Sequence, residues 1–187
     1  MKPDEDIKPK SKEEKAAAKA AYIKQRNQTR RQYCEEERLK LNPHQLHRCH
    51  RLACEIYDYF NNILTGNKLK PSDEGLFWSN RLMNQKKSFC GFTIGDGNIG
   101  YVDSIILADD YEEFEKNPNQ LYGTLFHEYV HAYINVNYLR DNSSHGYVWQ
   151  NKAKQLWKTV RRNRDMIPAN LRLLELKEEC VYSFRKL

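Results

Sequence analysis

HEYVHAYINVNYLRDNSSHGYVWQ, residues 127–150, carries the pattern from which the rest of the chain can be read. It opens with His127-Glu128-Tyr129-Val130-His131, an HExxH pattern. The pattern lies within an apolar run, Gln120 to Tyr138, that predicts a buried helix. In a helix the two histidines sit about 400° apart, so both imidazoles leave one face, one turn from each other. Two imidazoles at that spacing can chelate a divalent zinc ion, and Glu128 is placed beside the first as a general base for a water there. Leu121, Leu125, Phe126, Val130, Tyr133, Ile134 and Val136 make the helix apolar nearly all round. A random arrangement of 6 His and 15 Glu in 187 residues gives about 0.015 HExxH matches. Two histidines that merely satisfy each other in a core are therefore the weaker reading.

A catalytic zinc site keeps three protein ligands and an open position. The metzincin spacing would put Gly at 134 and His at 137, where this chain has Ile134 and Asn137, so that arrangement is excluded. A glutamate on a later helix is the second option. After Glu128 the only glutamates are Glu175, Glu178 and Glu179, far along the chain. His145 is the one histidine after His131. It follows the polar turn Leu139–Ser144, which is long enough for the next helix to fold back, and it is the favoured third ligand. That next helix opens near Ser144 and runs through Trp149 and Trp157 to about Arg162.

Upstream, Asn42-Pro43 reads as an N-cap and first helical residue. Leu46, Cys49, Leu52, Ala53, Ile56, Tyr57, Phe60, Ile63 and Leu64 then recur at three and four, which predicts an amphipathic helix ended by Gly66. Phe77-Trp78, Ser88–Ile94 and Tyr101–Leu107 are β-rich runs, the last two separated by Gly95, Gly97 and Gly100. Asp109–Asn119 reads as a polar loop. Pro168 reads as the start of a short helix through Leu171, Leu174 and Leu176. Ser11–Leu41 reads as a long helix with a capping box at Ser11 and Glu14, after a disordered start. Helices before, between and after clustered strands predict an α+β domain at 42–165. A basic, partly helical and partly disordered N-terminal arm (1–41) precedes it and a helical tail (166–187) follows.

The composition sets the outer bounds. The chain carries 31 basic and 25 acidic residues, net +6. The excess lies at its ends: residues 1–40 hold 12 basic and 8 acidic groups, residues 127–187 hold 11 and 6, and residues 81–126 hold 4 and 7. Such ends suit a polyanionic partner, nucleic acid first, and equally a merely solvated surface, since the excess is moderate for this length. The 22 aromatic residues and 40% hydrophobic content supply a core and exclude a wholly disordered chain. No apolar run approaches the roughly 20 residues of a membrane span. Met1–Lys15 has no secretory apolar stretch. Five cysteines without a CxxC pair argue against a disulfide framework. An intracellular setting, nuclear or cytoplasmic and not secreted, is expected.

The same stretch resembles the SprT-like metallopeptidases, including the Spartan proteases, through His127, Glu128, His131, Ala132, His145, Gly146 and Trp149: HExxHA, a spacer, then HG before a helix with an aromatic residue. Upstream, Ile56–Leu69 (IYDYFNNILTGNKL) is similar to that family's first core helix, and Phe77-Trp78-Ser79-Asn80-Arg81-Leu82 to its W-S-x-R strand. Cys90-Gly91 and Ile105-Ile106-Leu107 fall where its next strands belong. The resemblance spans about residues 46–160. It implies a zincin-like fold with a small β-sheet and an HExxH active-site helix, here with an N-terminal helical extension. It also implies a Zn2+ cofactor held by His127, His131 and His145, with Glu128 as catalytic base. The activity implied is endopeptidase action on protein substrates, including proteins crosslinked to DNA, in nuclear DNA repair. Against the family's pattern, only Cys180 stands where a zinc ribbon would follow, and neither a ribbon nor a long recruitment tail is expected, so DNA contact would fall to Lys8–Arg31 and to Arg161, Arg162 and Arg164. Trp157, Tyr182 and Phe184 are stacking candidates, with core packing preferred for Trp157.

Other classes of function stay open at this point: a DNA-binding or adaptor protein with a structural or vestigial zinc site, or a general intracellular zinc hydrolase with no DNA role. An intact Glu128 speaks against a purely structural site. The strand Tyr101–Leu107 is the expected cleft edge, holding an extended substrate by β-addition. Tyr147 is a candidate oxyanion or substrate contact, with core packing the preferred role. His44, His47, Cys49, His50 and Cys54 crowd one helix without matching a common zinc spacing, so a polar face with buried cysteines is preferred to a second metal site. Asp96, Asn98 and Asp103 lack the calcium-loop spacing, and turn chemistry accounts for them better. Oligomeric state is not specified by any of these features.

Overall fold

The computed structural model describes residues 17, 20, 21, 43–79, 90–96, 100–108, 111–137, 139, 145–172 and 174. Most of the expected arm and tail, with Glu175, Glu178, Glu179, Tyr182 and Phe184, lies outside the described residues. The chain is a mixed α+β protein with, among the described residues, one three-stranded sheet.

The first long helix, α1 (Pro43–Phe60), buries Cys49, Ala53, Ile56, Tyr57 and Phe60, the three- and four-residue spacing of one apolar face. It does not continue unchanged to Leu64. A π turn, Asn61–Thr65, follows and closes at Gly66, whose φ of 62° is the left-handed cap that glycine adopts freely. Asn61 is the reason for the turn. Its carboxamide oxygen accepts from the Leu69 N–H at 3.1 Å and from Thr65 Oγ1 at 2.7 Å, while its Nδ2 donates to the Leu69 carbonyl at 3.1 Å. One side chain thereby pairs with a backbone eight residues on, as a strand would. A four-residue helix, α2 (Ser72–Gly75), comes next, held by Asp58, which accepts from Ser72 N–H at 3.1 Å and Ser72 Oγ at 2.8 Å.

The strands are β1 (Leu76–Ser79), β2 (Gly91–Asp96) and β3 (Tyr101–Ala108), in the order β1-β3-β2. β1 pairs parallel with β3, placing Leu76 opposite Ile105 and Trp78 opposite Leu107. β2 pairs antiparallel with β3, placing Thr93 opposite Ile105, with a bulge between Ile94 and Gly95. This order corrects the expectation for Tyr101–Leu107: β3 is the central strand, its backbone hydrogen-bonded on both sides, and cannot accept an added strand. β2 is an outer strand among the described residues. Asp103 also departs from expectation. It is no turn residue but a buried carboxylate on β3, 2.6 Å from Lys70 Nζ and accepting from Tyr101 OH at 3.0 Å.

The expected loop at 109–119 contains a helix, α3 (Tyr111–Lys116). Tyr111 and Phe114, three apart, bury against Trp78 with ring centroids 4.6 and 6.0 Å away. Glu112 and Glu113 in its first turn and Lys116 in its last suit the helix dipole. Pro118 then takes the first position of α4 (Pro118–Val136). All ten residues from Leu121 to Val130 are buried, because α1, the sheet and the following helix α5 (Tyr147–Arg162) cover this helix from several sides. Phe60 lies 5.0, 5.9 and 5.5 Å from Tyr122, Phe126 and Tyr129, and Tyr129 OH donates to the Tyr57 carbonyl at 2.8 Å. α5 begins at Tyr147, capped by Gly146, three residues past the expected Ser144, which lies outside the described residues. Beyond it come single 3-10 turns, Arg164–Met166 and Ala169–Leu171, the second in place of the helix expected after Pro168. No described helix is long and apolar enough to cross a membrane.

Candidate metal centre

His127 and His131 leave α4 on one face, and the fold-back of α5 brings His145 to them from the residue before its N-cap. The three Nε2 atoms form a near-equilateral triangle: 3.2 Å from His131 to His127, 3.2 Å from His131 to His145 and 3.0 Å from His145 to His127. Each Nε2 carries either a proton or a lone pair, so three mutual contacts cannot all be hydrogen bonds. They match a ligand set instead. Tetrahedral sites with metal–nitrogen bonds of about 2.0–2.1 Å have nitrogen–nitrogen edges of about 3.3 Å. Among the described residues, these three are the one group of His, Cys, Asp or Glu close enough to hold a metal ion. His127 is buried; His131 and His145 are partly exposed, so the site opens toward solvent on their side. His145 is tied at its backbone, where Gln150 Nε2 donates to its carbonyl at 3.2 Å.

Burial, reinforced by the neighbouring His131 and His145, holds the His127 pKa far below its usual value. The ring stays neutral, the form that ligates. Trp149, one turn into α5 and buried, stacks on the group with its centroid 4.7 Å from His127, 5.1 Å from His145 and 5.7 Å from His131. Its place in the motif was legible; its contact with all three rings required α5 to fold back.

Glu128 is buried, at 4% exposure, and burial raises its pKa to about 7 against the opposing hydrogen bonds from Thr93. Thr93 Oγ1 lies 2.6 Å from its Oε2 and 2.9 Å from its carbonyl oxygen. Gly91 closes the same contact. A Cβ there would stand 2.9 Å from Glu128 Cγ and 3.1 Å from Oε1, so β2 reaches this close only because residue 91 has no side chain. Sequence reasoning missed Thr93. The signal was there in the alternation of a strand, since Gly91 and Thr93 face one way, but nothing said which helix that face would meet.

The remaining predicted residues lie apart. Tyr147 is 80% exposed, which overturns the packing role and leaves its side chain in solvent, two residues past His145. Arg161 and Arg162 at the end of α5 and Arg164 in the turn after it are exposed, and the Arg161 guanidinium stands 4.9 Å from the Trp157 ring. Trp157 is thus only partly core. The His50 imidazole accepts from Trp78 Nε1 at 3.0 Å through Nδ1 and presents Nε2 to Cys54 Sγ at 3.5 Å, while Cys49 is buried with its thiol pushed up to about 12. These form no metal group among the described residues, and the side chains of His44 and His47 lie outside them. A cavity of about 700 Å³ between α1 and α3 shares no residue with the histidine group. No protein-family model, curated protein or solved structure matches the chain.

Proposed function

We propose that this chain is a zinc-dependent endopeptidase of the SprT-like type, with a zincin-like fold. The observation that carries the reading is the convergence of three imidazole Nε2 atoms at 3.0–3.2 Å beside a buried carboxylate on the same helix. A purely structural site needs four closed ligands and no base. This one has three ligands, an open side and Glu128. Imidazole ligation suits zinc among the common divalent ions.

His127, His131 and His145 would hold the ion. Zinc supplies Lewis acidity there, activating water and polarising a carbonyl. Glu128 then takes a proton from the attacking water and delivers it to the leaving amine as the carbon–oxygen bond forms and the carbon–nitrogen bond breaks. A pKa near 7 suits a group that must accept and return a proton. The outer strand β2, which borders Glu128, would hold the substrate extended, and the exposed Tyr147 would be free to meet it.

A nucleic-acid role is supported by α5 and the turn after it. Between Tyr147 and Arg164 there are six basic residues and no acidic one, and Lys154, Lys158, Arg161, Arg162 and Arg164 are exposed. This favours DNA-associated proteolysis, such as crosslink cleavage in the nucleus, over a general hydrolase. An adaptor role would keep the basic face and dispense with the base. The deciding experiment combines metal analysis with cleavage of a DNA-crosslinked protein, with and without DNA, against Glu128→Gln. One zinc per chain, lost in His127→Ala, and DNA-stimulated cleavage lost in Glu128→Gln are expected. Absence of stoichiometric zinc sinks the reading. DNA-independent cleavage selects the general hydrolase, and salt-sensitive DNA binding without cleavage selects the adaptor.

A further inference from the structure

β2 turns Gly91 and Thr93 toward α4, and both touch Glu128. Thr93 Oγ1 is 2.6 Å from Oε2 and 2.9 Å from the Glu128 carbonyl, but a hydroxyl owns one proton and donates one bond at a time. The shorter contact has the length of a charge-assisted bond to a carboxylate. Among the described residues no other side chain bonds the Glu128 carboxylate; the Thr93 backbone N–H is its second donor, so both bonds that orient it come from one residue, and the hydroxyl is the one a substitution can remove. We propose that Thr93 is the positioning residue for the base: its hydroxyl holds Oε2 and so fixes the rotamer of the carboxylate, and Gly91 is the gap that admits the strand to this distance.

This rests on the peptidase reading and goes one residue past it. A lone carboxylate in a buried site has several rotamers, and a base must be held within a fraction of an ångström of its proton. Thr93 restricts that freedom without touching substrate or ligand. It also ties the outer strand to the catalytic helix, so the element that would bear the substrate and the group that would act on it move together. If Thr93 served only to fasten β2 to α4, its loss would lower stability and leave turnover per folded, zinc-loaded molecule unchanged.

The test compares the full chain with Thr93→Val, which keeps the shape and removes the hydroxyl, and Thr93→Ser, which keeps the hydroxyl. Thr93→Ala serves where the valine form does not fold. Each is brought to equal zinc content and measured for kcat and KM on an unstructured protein substrate, and a crystal structure of each reports the Glu128 rotamer. In the valine form kcat should fall by about 10–100-fold with KM unchanged, the range for groups that orient a metal-site residue. Glu128 should also leave its wild-type rotamer, and serine should restore both. Turnover in the valine form within two-fold of wild type, or an unmoved Glu128, overturns the proposal. If the wild-type chain itself fails to cleave, the peptidase reading falls and the rotamer comparison alone decides the role of Thr93.

Discussion

The indole of Trp149 packs against the imidazole of His127 with ring centroids 4.7 Å apart and planes inclined by 47°. The other two tryptophans sit elsewhere, Trp78 against Tyr111 and Phe114 and Trp157 beneath Arg161. Trp149 emission should therefore report metal binding. Zinc titration is expected to change the intrinsic fluorescence of the wild-type chain, with Trp149→Phe abolishing most of the change while still binding one zinc. Trp149→Ala removes a buried aromatic and should cost about 3–5 kcal/mol of stability by chemical denaturation. An unchanged zinc-dependent signal in Trp149→Phe would place the metal away from these rings.

The neutral state of His127 gives a pH dependence with a definite sign. Its folded pKa is depressed by burial and by His131 and His145, while the unfolded chain titrates near 6.5. The unfolded state thus binds the extra proton. Stability from this group is present above about pH 6.5 and is lost as pH falls below it. Metal-free protein should melt at progressively lower temperature from pH 7 to pH 5, and zinc should dissociate over the same range as protons compete for the ligands. His127→Gln should flatten the stability curve by about one proton. A wild-type curve that is level from pH 7 to pH 5 contradicts the burial argument.

Glu128 gives the opposite slope. Its folded pKa of about 7 lies above the carboxylate value in the unfolded chain, so ionising it costs stability as pH rises. At pH 8 without metal, Glu128→Gln should be more stable than wild type by on the order of 1–3 kcal/mol, and the gain should vanish near pH 4. The same substitution should keep zinc and lower cleavage by about 10²–10⁴-fold, the usual contribution of a general base. A Gln variant less stable than wild type at pH 8 would mean that the fold tolerates this carboxylate ionised.

How much of this was legible in the sequence divides by the range of the interaction. His127, Glu128 and His131 are one turn of one helix, and helical geometry alone places them on one face. His145 was reachable by elimination, since no other histidine follows. The outer position of β2 among the described strands was not legible. Gly91–Ile94 and Tyr101–Leu107 are both β-rich, and which of them ends at the edge depends on β1 inserting beside β3, a pairing between segments about 30 residues apart. α3 was missed because its two apolar residues sit among four charges, and only Trp78, from another strand, makes their spacing matter. The π turn depends on a single amide, Asn61, closing on Leu69.

The basic end of α5 makes the last prediction. Arg161, Arg162 and Arg164 are exposed, and Trp157 beneath Arg161 offers a partly open ring for a base to stack on. Each phosphate contact adds about 0.7–0.9 to the slope of log affinity against log salt. Replacing all three arginines with alanine should weaken binding to single-stranded and duplex DNA alike and reduce that slope by about 2–3. Zinc content and DNA-independent cleavage should stay at wild-type levels, since none of the three is among the metal-ligand group. Trp157→Ala should weaken single-stranded binding selectively, by about 1–3 kcal/mol where a base stacks on that ring. An unchanged salt slope in the triple variant would move any nucleic-acid contact off α5 and leave the charge of this helix as a solvated face.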